Sequence, residues 1–242
     1  MIRQIIDNSP NYSKKNRLKK QIKYVVMHYT GMQSEIESIK RLKDPKFEVS
    51  CHYLINRRGQ IISMVPENKI AWHAGKSKWS KFKNLNKFSI GIELVNRGKR
   101  FGYQNYTYLQ IRSLISLCRK LKKKYNIKKE DFLGHSDIAP LRKIDPGEKF
   151  PWKKLSKYQI GLWYKSVKLN HKFIMFNKIE MRRKFFKNLY KIGYRYFTLN
   201  KSKKTDALLI KAFQRRYVPN NINGRLDEKT VKISHFLAHN YK

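Results

Sequence analysis

Residues 134–147 have the sequence GHSDIAPLRKIDPG, and the rest of the chain is predicted to be organised around this stretch. Its two prolines and two glycines exclude one regular helix or a central strand, so a rigid loop is expected. Such a loop would fix His135 and Asp145 while Lys143 points nearby. Imidazole and carboxylate groups suit zinc, and a catalytic zinc keeps three protein ligands and a water. The alternative is a surface turn with solvated charges.

A third metal ligand is predicted at the end of a buried strand. Residues 22–29 have the sequence IKYVVMHY, which is rich in β-forming residues and mostly apolar. His28 lies where this strand gives way to a loop, and we propose it as the third ligand. The spacing of His28, His135 and Asp145 is not a specific metal signature by itself.

A carboxylate, Glu93, interrupts the apolar segment 88–95 (FSIGIELV), which is predicted to be a strand covered on both faces. Burying a carboxylate costs several kcal/mol unless it is paired or put to use. Glu93 is therefore either a general base for a zinc-bound water or a strand-end group bonded to a lysine or backbone amide. Lys143 either stabilises a developing oxyanion or is a solvated lysine.

The other histidines are assigned from their surroundings. His73 lies in the loop 71–75 (AWHAG), where contact with substrate and a structural role are equally open. His52 lies in a predicted strand, and we expect it to be packed and hydrogen-bonded. The last three are expected to be plain surface or helix residues: His171, His235 and His239.

The composition bounds the class of protein. The 242 residues are 40% hydrophobic and 13% aromatic, enough for packed cores in one or two domains. The net charge of +40 would attract polyanions such as nucleic acid, anionic lipid or acidic cell-wall polymers. The basic residues are spread along nearly the whole chain, so the charge indicates no particular partner. No recognition-helix, OB-fold or RNA-binding signature accompanies it, and nucleic acid is not the expected partner.

The cysteines and the apolar segments of the sequence predict the cellular compartment. Cys51 and Cys118 are far apart and form no CxxC motif, which indicates a reducing compartment or indifference to redox conditions. Residues 1–10 have no signal-peptide core, and no run approaches the ~20 apolar residues of a membrane helix. A cytoplasmic protein with no membrane span is therefore expected.

Hydrophobic periodicity predicts an α/β region followed by helices. Residues 49–55 and 60–65 are predicted as a hairpin, and residues 106–125 as a long amphipathic helix. Residues 1–21 are polar and basic, which favours an arm or loop. Three helices are expected near the C-terminus, in segments 174–194, 205–217 and 227–238. We therefore predict domains at 1–165 and 174–242, joined by a linker at 166–173.

Five segments in matching order resemble the zinc-dependent type 2 N-acetylmuramoyl-L-alanine amidases. They are YVVMHYT (24–30), VSCHYLI (49–55), AWHAG (71–75), SIGIEL (89–94) and the loop 134–147. The resemblance covers residues ~20–165 and implies a mixed central β-sheet flanked by helices. It implies zinc on His28, His135 and Asp145 and catalysis by Glu93 and Lys143. Substrate contacts are expected from three further residues: Trp72, His73 and Arg142.

The tail resembles the three-helix peptidoglycan-binding domain. The matching segments are 192–194 (IGY), 212–217 (AFQRRY) and 224–230 (GRLDEKT). The sequence before Gly193 departs from the usual pattern, so a docking domain with no role in wall binding is the alternative. A wall-binding tail would favour the periplasm over the cytoplasm.

The resemblance implies a zinc amidohydrolase that acts as a monomer. It would cleave the amide between N-acetylmuramic acid, or its 1,6-anhydro form, and L-alanine, in peptidoglycan turnover or recycling. Its partners would be released peptidoglycan fragments or the intact sacculus. Two alternatives are a non-catalytic muropeptide-binding module and a basic nucleic-acid binder.

Overall fold

A computed structural model describes residues 4–165 and 177–240 of the chain. The predicted linker 166–173 and His171 lie outside these residues. The strands are β1 Gln4–Ile6, β2 Tyr12–Ser13, β3 Tyr24–Tyr29, β4 Tyr53–Ile55, β5 Ile61–Ser63, β6 Ile70–Ala71, β7 Lys78–Trp79, β8 Phe82–Lys83, β9 Ser89–Leu94 and β10 Phe132–Gly134. The α-helices are α1 Glu35–Lys43, α2 Tyr108–Tyr125, α3 His135–Ile138, α4 Trp152–Ser156, α5 Lys178–Ile192, α6 Asp206–Tyr217 and α7 Glu228–Asn240.

A six-stranded mixed sheet forms the centre of the fold, in the order β1-β5-β4-β9-β3-β10. Strands β4, β9, β3 and β10 run parallel to one another, whereas β5 pairs antiparallel with β4. Helices cover the sheet, which confirms the predicted α/β class with a mixed central sheet.

Alternation along the two central strands divides their side chains between the two faces of the sheet. Val25 and Met27 of β3, with Ile90 and Ile92 of β9, join the core that contains α2. Side chains of a strand alternate between faces, so His28 and Glu93 point to the opposite face. The register pairs these two residues directly, which places their side chains next to each other.

Helix α2 follows the predicted pattern closely. Thr107 begins it with a capping box completed by Gln110, and Asn126 ends it in the left-handed conformation. Four residues of the stripe predicted from the spacing, Leu114, Leu117, Cys118 and Leu121, are buried against the sheet, and Ile111 joins them. Leu109, also predicted to belong to the stripe, is 43% exposed. Burial of each side chain of the buried stripe stabilises the folded state by about 1.5–3 kcal/mol. The stripe is therefore a main source of stability for the contact between α2 and the sheet.

The N-terminal segment, predicted as an arm or loop, contains two short strands, β1 and β2, and is packed against the rest of the fold. Strand β1 adds to the sheet edge by pairing parallel with β5. The Arg17 side chain is 5% exposed, and its guanidinium donates to the carbonyl oxygens of Glu67, Asn86 and Ser89 at 2.7–3.1 Å. Backbone pairing and one buried cation order this segment, and neither is visible in hydrophobic periodicity.

The three C-terminal helices predicted from the sequence are present as α5, α6 and α7. They pack on one another and also on the second face of the sheet, because Tyr24, Val26 and Leu133 share a hydrophobic core with Phe213 and Tyr194. The position of the domain boundary stays a prediction. In the described parts of the chain, no helix combines the length and apolarity needed to cross a lipid bilayer.

Candidate active site

The predicted ligands meet at the carboxyl ends of parallel strands. His28 lies near the end of β3, Glu93 near the end of β9, and His135 begins α3 directly after β10. Ligands of open α/β sheets generally bind outside the carboxyl ends of the strands. The loop after α3 returns Asp145 to the same place, where the Asp145 carbonyl accepts a hydrogen bond from the Ser136 amide at 2.9 Å.

Three potential metal-binding atoms form a nearly equilateral triangle. The distances are 3.0 Å from His28 Nδ1 to His135 Nδ1, 3.0 Å from His28 Nδ1 to Asp145 Oδ2, and 3.0 Å from His135 Nδ1 to Asp145 Oδ2. The three residues are buried, with 1%, 3% and 7% exposure. His28, His135 and Asp145, far apart in sequence, therefore converge on one point.

This triangle suits a tetrahedral zinc site. Zinc bonds of about 2.0–2.2 Å to nitrogen and oxygen place tetrahedral ligands roughly 3.3 Å apart, close to the observed 3.0 Å. Burial lowers the pKa of His28 to about 4, so its imidazole is neutral. Imidazole nitrogens and a carboxylate oxygen are ligands that zinc takes, so this donor set suits it.

Hydrogen bonding on the far side of His135 fixes its tautomer. His135 Nε2 lies 3.2 Å from the carbonyl oxygen of Ala74, which can only accept. Arg142 Nη2, which can only donate, lies farther from Nε2, at 3.4 Å. The shorter contact with Ala74 favours a proton on Nε2, which leaves the lone pair of Nδ1 pointing into the triangle.

A chain of hydrogen bonds fixes the tautomer of His28 in the same way. The Ser89 hydroxyl donates to the Leu85 carbonyl at 2.7 Å, so Ser89 Oγ accepts from His73 Nε2 at 3.2 Å. His73 Nδ1 then accepts the proton of His28 Nε2 at 3.0 Å. The Nδ1 atom of His28 is left unprotonated, as a metal ligand must be.

His73 therefore contacts the far side of His28, away from the metal-binding atoms, and is shielded from solvent. The residue is 5% exposed, and burial lowers its pKa well below the usual range. Gly91 of β9 makes room for it, because a Cβ at that position would lie 2.4 Å from the His73 ring. Of the two roles left open for His73, substrate contact and structural support, the contacts favour support of His28.

Glu93 is buried beside the triangle. Its side chain is 8% exposed, and its Oε2 atom has no hydrogen-bond partner among the described residues. Burial, reinforced by the negative charge of Asp145, raises the pKa of Glu93 to about 8, and Lys143 acts in the opposite direction. The alternative considered for Glu93, a hydrogen bond from a lysine or a backbone amide, is therefore not made at Oε2. This atom is available as a proton acceptor.

A cleft of about 580 Å³ opens over these groups. Lys143 and Arg142 line it together with His28, His73, Glu93, His135 and Asp145. Further lining residues were missed from the sequence, among them Arg41, Phe47, Arg100 and Phe101. These residues come from α1, from the turn after it and from the loop after β9, and no local pattern distinguishes them from other surface arginines and phenylalanines.

Of the two other residues expected to contact substrate, Arg142 lines the cleft and Trp72 does not. The structure does not bring Trp72 to the cleft, since its indole nitrogen donates to Ser13 Oγ at 3.3 Å on the N-terminal segment. Arg142 does line the cleft, but its guanidinium donates to the carbonyl oxygens of Ala74 and Lys76. Much of its hydrogen-bonding capacity is thus used to hold the loop beside His135.

His52 is packed and hydrogen-bonded, as expected. It is fully buried, its Nδ1 accepts from the Gly91 amide at 3.0 Å, and its Nε2 lies 2.7 Å from the Arg17 guanidinium. His235 and His239 lie on α7, away from the cleft.

Comparisons with known proteins agree with this geometry. The family model described as N-acetylmuramoyl-L-alanine amidase matches residues 18–148. The chain is 35% identical to N-acetylmuramoyl-L-alanine amidase AmiD of Escherichia coli over 235 residues, which cover 91% of this chain and 83% of AmiD. It is 36% identical to 1,6-anhydro-N-acetylmuramyl-L-alanine amidase AmpD of Haemophilus influenzae over 164 residues, 60% of this chain and 86% of AmpD.

Solved structures match nearly the whole chain. E. coli AmiD, in complex with the substrate anhydro-N-acetylmuramic acid-L-Ala-D-γ-Glu-L-Lys, superposes with a TM-score of 0.80 at 32% identity, covering 95% of this chain and 92% of AmiD. Pseudomonas aeruginosa AmpDh3 in complex with anhydromuramic pentapeptide gives 0.79 at 29% identity, covering 97% and 98%. The chain therefore belongs to the N-acetylmuramoyl-L-alanine amidase family of enzymes.

Proposed function

We propose that the protein is a zinc-dependent amidase that cleaves the bond between the lactyl group of N-acetylmuramic acid, or its 1,6-anhydro form, and L-alanine. The observation that carries the proposal is the 3.0 Å triangle of His28, His135 and Asp145 beside the buried, unpartnered Glu93. The relatives crystallised with anhydromuramyl peptides support the substrate class. The cellular role would be peptidoglycan turnover or recycling.

His28 Nδ1, His135 Nδ1 and Asp145 Oδ2 would hold the zinc ion. When bound, zinc would polarise the scissile carbonyl and lower the pKa of water to about 7. The protein's part is to keep both imidazoles in the correct tautomer through Ala74 and through His73. Such outer hydrogen bonds orient metal ligands and raise their basicity.

Glu93 would act as the general base and then as the general acid. Its free Oε2 would accept a proton from the attacking water, and the same carboxyl would return a proton to the amine of the departing L-alanine. Burial raises the pKa of Glu93 in the metal-free protein, and a bound zinc ion would counter that rise and favour the carboxylate form that accepts the first proton.

Lys143 would stabilise the oxyanion that develops on the scissile carbonyl. It lines the cleft and follows Arg142, whose contacts with the loop at Ala74 fix the local backbone. An ammonium group at this position donates hydrogen bonds that strengthen as negative charge grows on the carbonyl oxygen.

The walls of the cleft suit a muropeptide. Arg41 and Arg100 present positive charge toward the carboxylates of a stem peptide, whereas Phe47 and Phe101 offer apolar faces to a sugar ring. The Arg41 guanidinium stacks 3.8 Å above the Phe47 ring, which holds both side chains at the wall.

The test is mass analysis of digests of a purified anhydromuramyl tripeptide and of isolated sacculi. We expect the wild-type protein to release free L-Ala-containing peptide and to contain zinc. Glu93→Ala should keep the metal and lose turnover, and Asp145→Ala should lose the metal. A wild-type protein that binds muropeptide without cleaving it would identify a non-catalytic module, and a Glu93→Ala variant with near wild-type rate would remove Glu93 from the mechanism.

A further inference from the structure

Asp137 is a buried carboxylate in the segment that carries a metal ligand. It lies two residues after His135 in α3 and is 1% exposed. Its Oδ2 accepts the Gly134 amide at 2.7 Å, which closes the turn from β10 into α3. Nothing in the chemistry proposed above uses this carboxylate, although its position controls the backbone on both sides of His135.

The partners of Asp137 come from the C-terminal helices. Arg216 of α6 forms an ion pair with Asp137 Oδ2 through Nη1 and donates through Nη2 to the Phe132 carbonyl at 3.1 Å. Its guanidinium lies 3.9 Å from the centre of the Trp152 ring. Arg216 is 4% exposed, so both charges of the pair are removed from water.

Tyr194 holds the other oxygen of the same carboxylate. Its hydroxyl donates to Asp137 Oδ1 at 2.6 Å, and the residue is fully buried. Tyr194 also packs edge-on against Trp79 at 4.8 Å between ring centres. The glycine before it, Gly193, allows this close approach, because a Cβ there would lie 2.4 Å from Trp79.

Buried ion pairs contribute little net stability, because desolvation of the charges offsets their attraction. A buried hydrogen-bond network does, however, fix geometry. Arg216 Nη1 and Nη2 both have partners in this network, whereas Arg216 Nε has none among the described residues. Here the network joins Phe132 at the start of β10, Gly134 and Asp137, so it surrounds the backbone that positions His135. The Ser136 amide donates a hydrogen bond to the Asp145 carbonyl at 2.9 Å, which links this restrained backbone to the other ligand of the loop.

We propose that Arg216 and Tyr194 are positioning residues that hold the metal-binding loop through Asp137, so that metal affinity depends on the C-terminal helices. This inference rests on the proposed function, since it assumes that His135 and Asp145 bind zinc. It assigns to the C-terminal region a task inside the enzyme, in addition to any contact it makes with the cell wall.

The experiment measures the zinc dissociation constant of metal-free protein by competition with a chromophoric chelator. Loss of a group that hydrogen-bonds a metal ligand directly typically lowers metal affinity by about 10–100-fold. Arg216 acts on the ligands only through Asp137 and the backbone, so we expect Arg216→Met to weaken zinc binding by up to about tenfold. Arg216→Lys should restore part of the affinity. The matched control is Arg182→Met, because Arg182 pairs with Asp206 at 2.8 Å within the same helical region, away from the loop.

Equal zinc affinities for Arg216→Met and the wild type would overturn the inference, as would an equal loss in Arg182→Met. If Arg216→Met fails to fold by circular dichroism, Tyr194→Phe takes its place, because it removes one hydroxyl and keeps the ring. We expect that variant to bind zinc several-fold more weakly, and unchanged affinity would refute the role of Tyr194. A wild-type protein that binds no zinc would instead refute the proposed function.

Discussion

Replacing Glu93 with glutamine should make the metal-free protein more stable at alkaline pH. The carboxyl has an ordinary pKa of 4.5 when unfolded and about 8 when buried in the folded protein. The folded state therefore keeps a proton that the unfolded state has lost between these values, and stability falls as pH rises through this window. Glutamine has a similar shape and does not titrate, so the stability of the variant lacks this fall with rising pH.

The size of the effect follows from the two pKa values. Each pKa unit corresponds to about 1.4 kcal/mol, so burial of this one group costs about 1 kcal/mol at pH 5 and about 4 kcal/mol at pH 8. The free energy of unfolding of Glu93→Gln, relative to the wild type, should therefore rise by about 3 kcal/mol between these two pH values.

The assay is urea unfolding of chelator-treated protein at pH 5 and pH 8. Glu67→Gln is the matched control. Burial alone would raise the pKa of Glu67, but hydrogen bonds from Lys124, Tyr125 and Tyr53 lower it. The stability that Glu67 contributes is fully present above its unfolded pKa, so its variant should show a constant loss from pH 5 to pH 8. The same flat difference for Glu93→Gln would refute the reasoning.

Three other substitutions test separate parts of the structure. Lys143→Met should lower kcat by about 10²–10³-fold with zinc content unchanged, measured by steady-state kinetics and metal analysis, and loss of the metal would place Lys143 outside the oxyanion role. His73→Leu should weaken zinc binding by about 10–100-fold, because the His28 Nε2 proton loses its acceptor; chelator competition measures this, and wild-type affinity would contradict the tautomer assignment. Phe213→Ala, at a fully buried position in the core shared by the sheet and the C-terminal helices, should cost about 3–5 kcal/mol in urea unfolding, and a loss below 1 kcal/mol would show that this core is not shared.

The sequence allowed the strands, the long helix and the ligand-bearing loop to be predicted, because each has a local signature. Apolar runs place His28 at the end of one strand and Glu93 within another, and helical spacing places most of the buried stripe of α2. The 134–147 loop has enough glycine and proline to be recognised as irregular.

Other features depend on contacts between distant residues and have no local signature. The ion pair between Asp137 and Arg216 joins residues 79 positions apart, and the role of His73 is visible only once Ser89 and Leu85 fix its tautomer. Trp72 likewise lies outside the cleft because its indole nitrogen donates to Ser13. Ser13 belongs to the N-terminal segment, which its polarity alone predicts to be an arm or loop.

The shared core has a consequence for protein engineering and for the exchange of tails between relatives. The C-terminal helices cover Tyr24, Val26 and Leu133 of the sheet. Deletion of those helices would expose this apolar surface to solvent and would leave the Asp137 carboxylate without its ion-pair partner. A shortened or chimeric amidase would therefore need a resurfaced sheet and a substitute cation for Arg216 before its reactive centre could assemble.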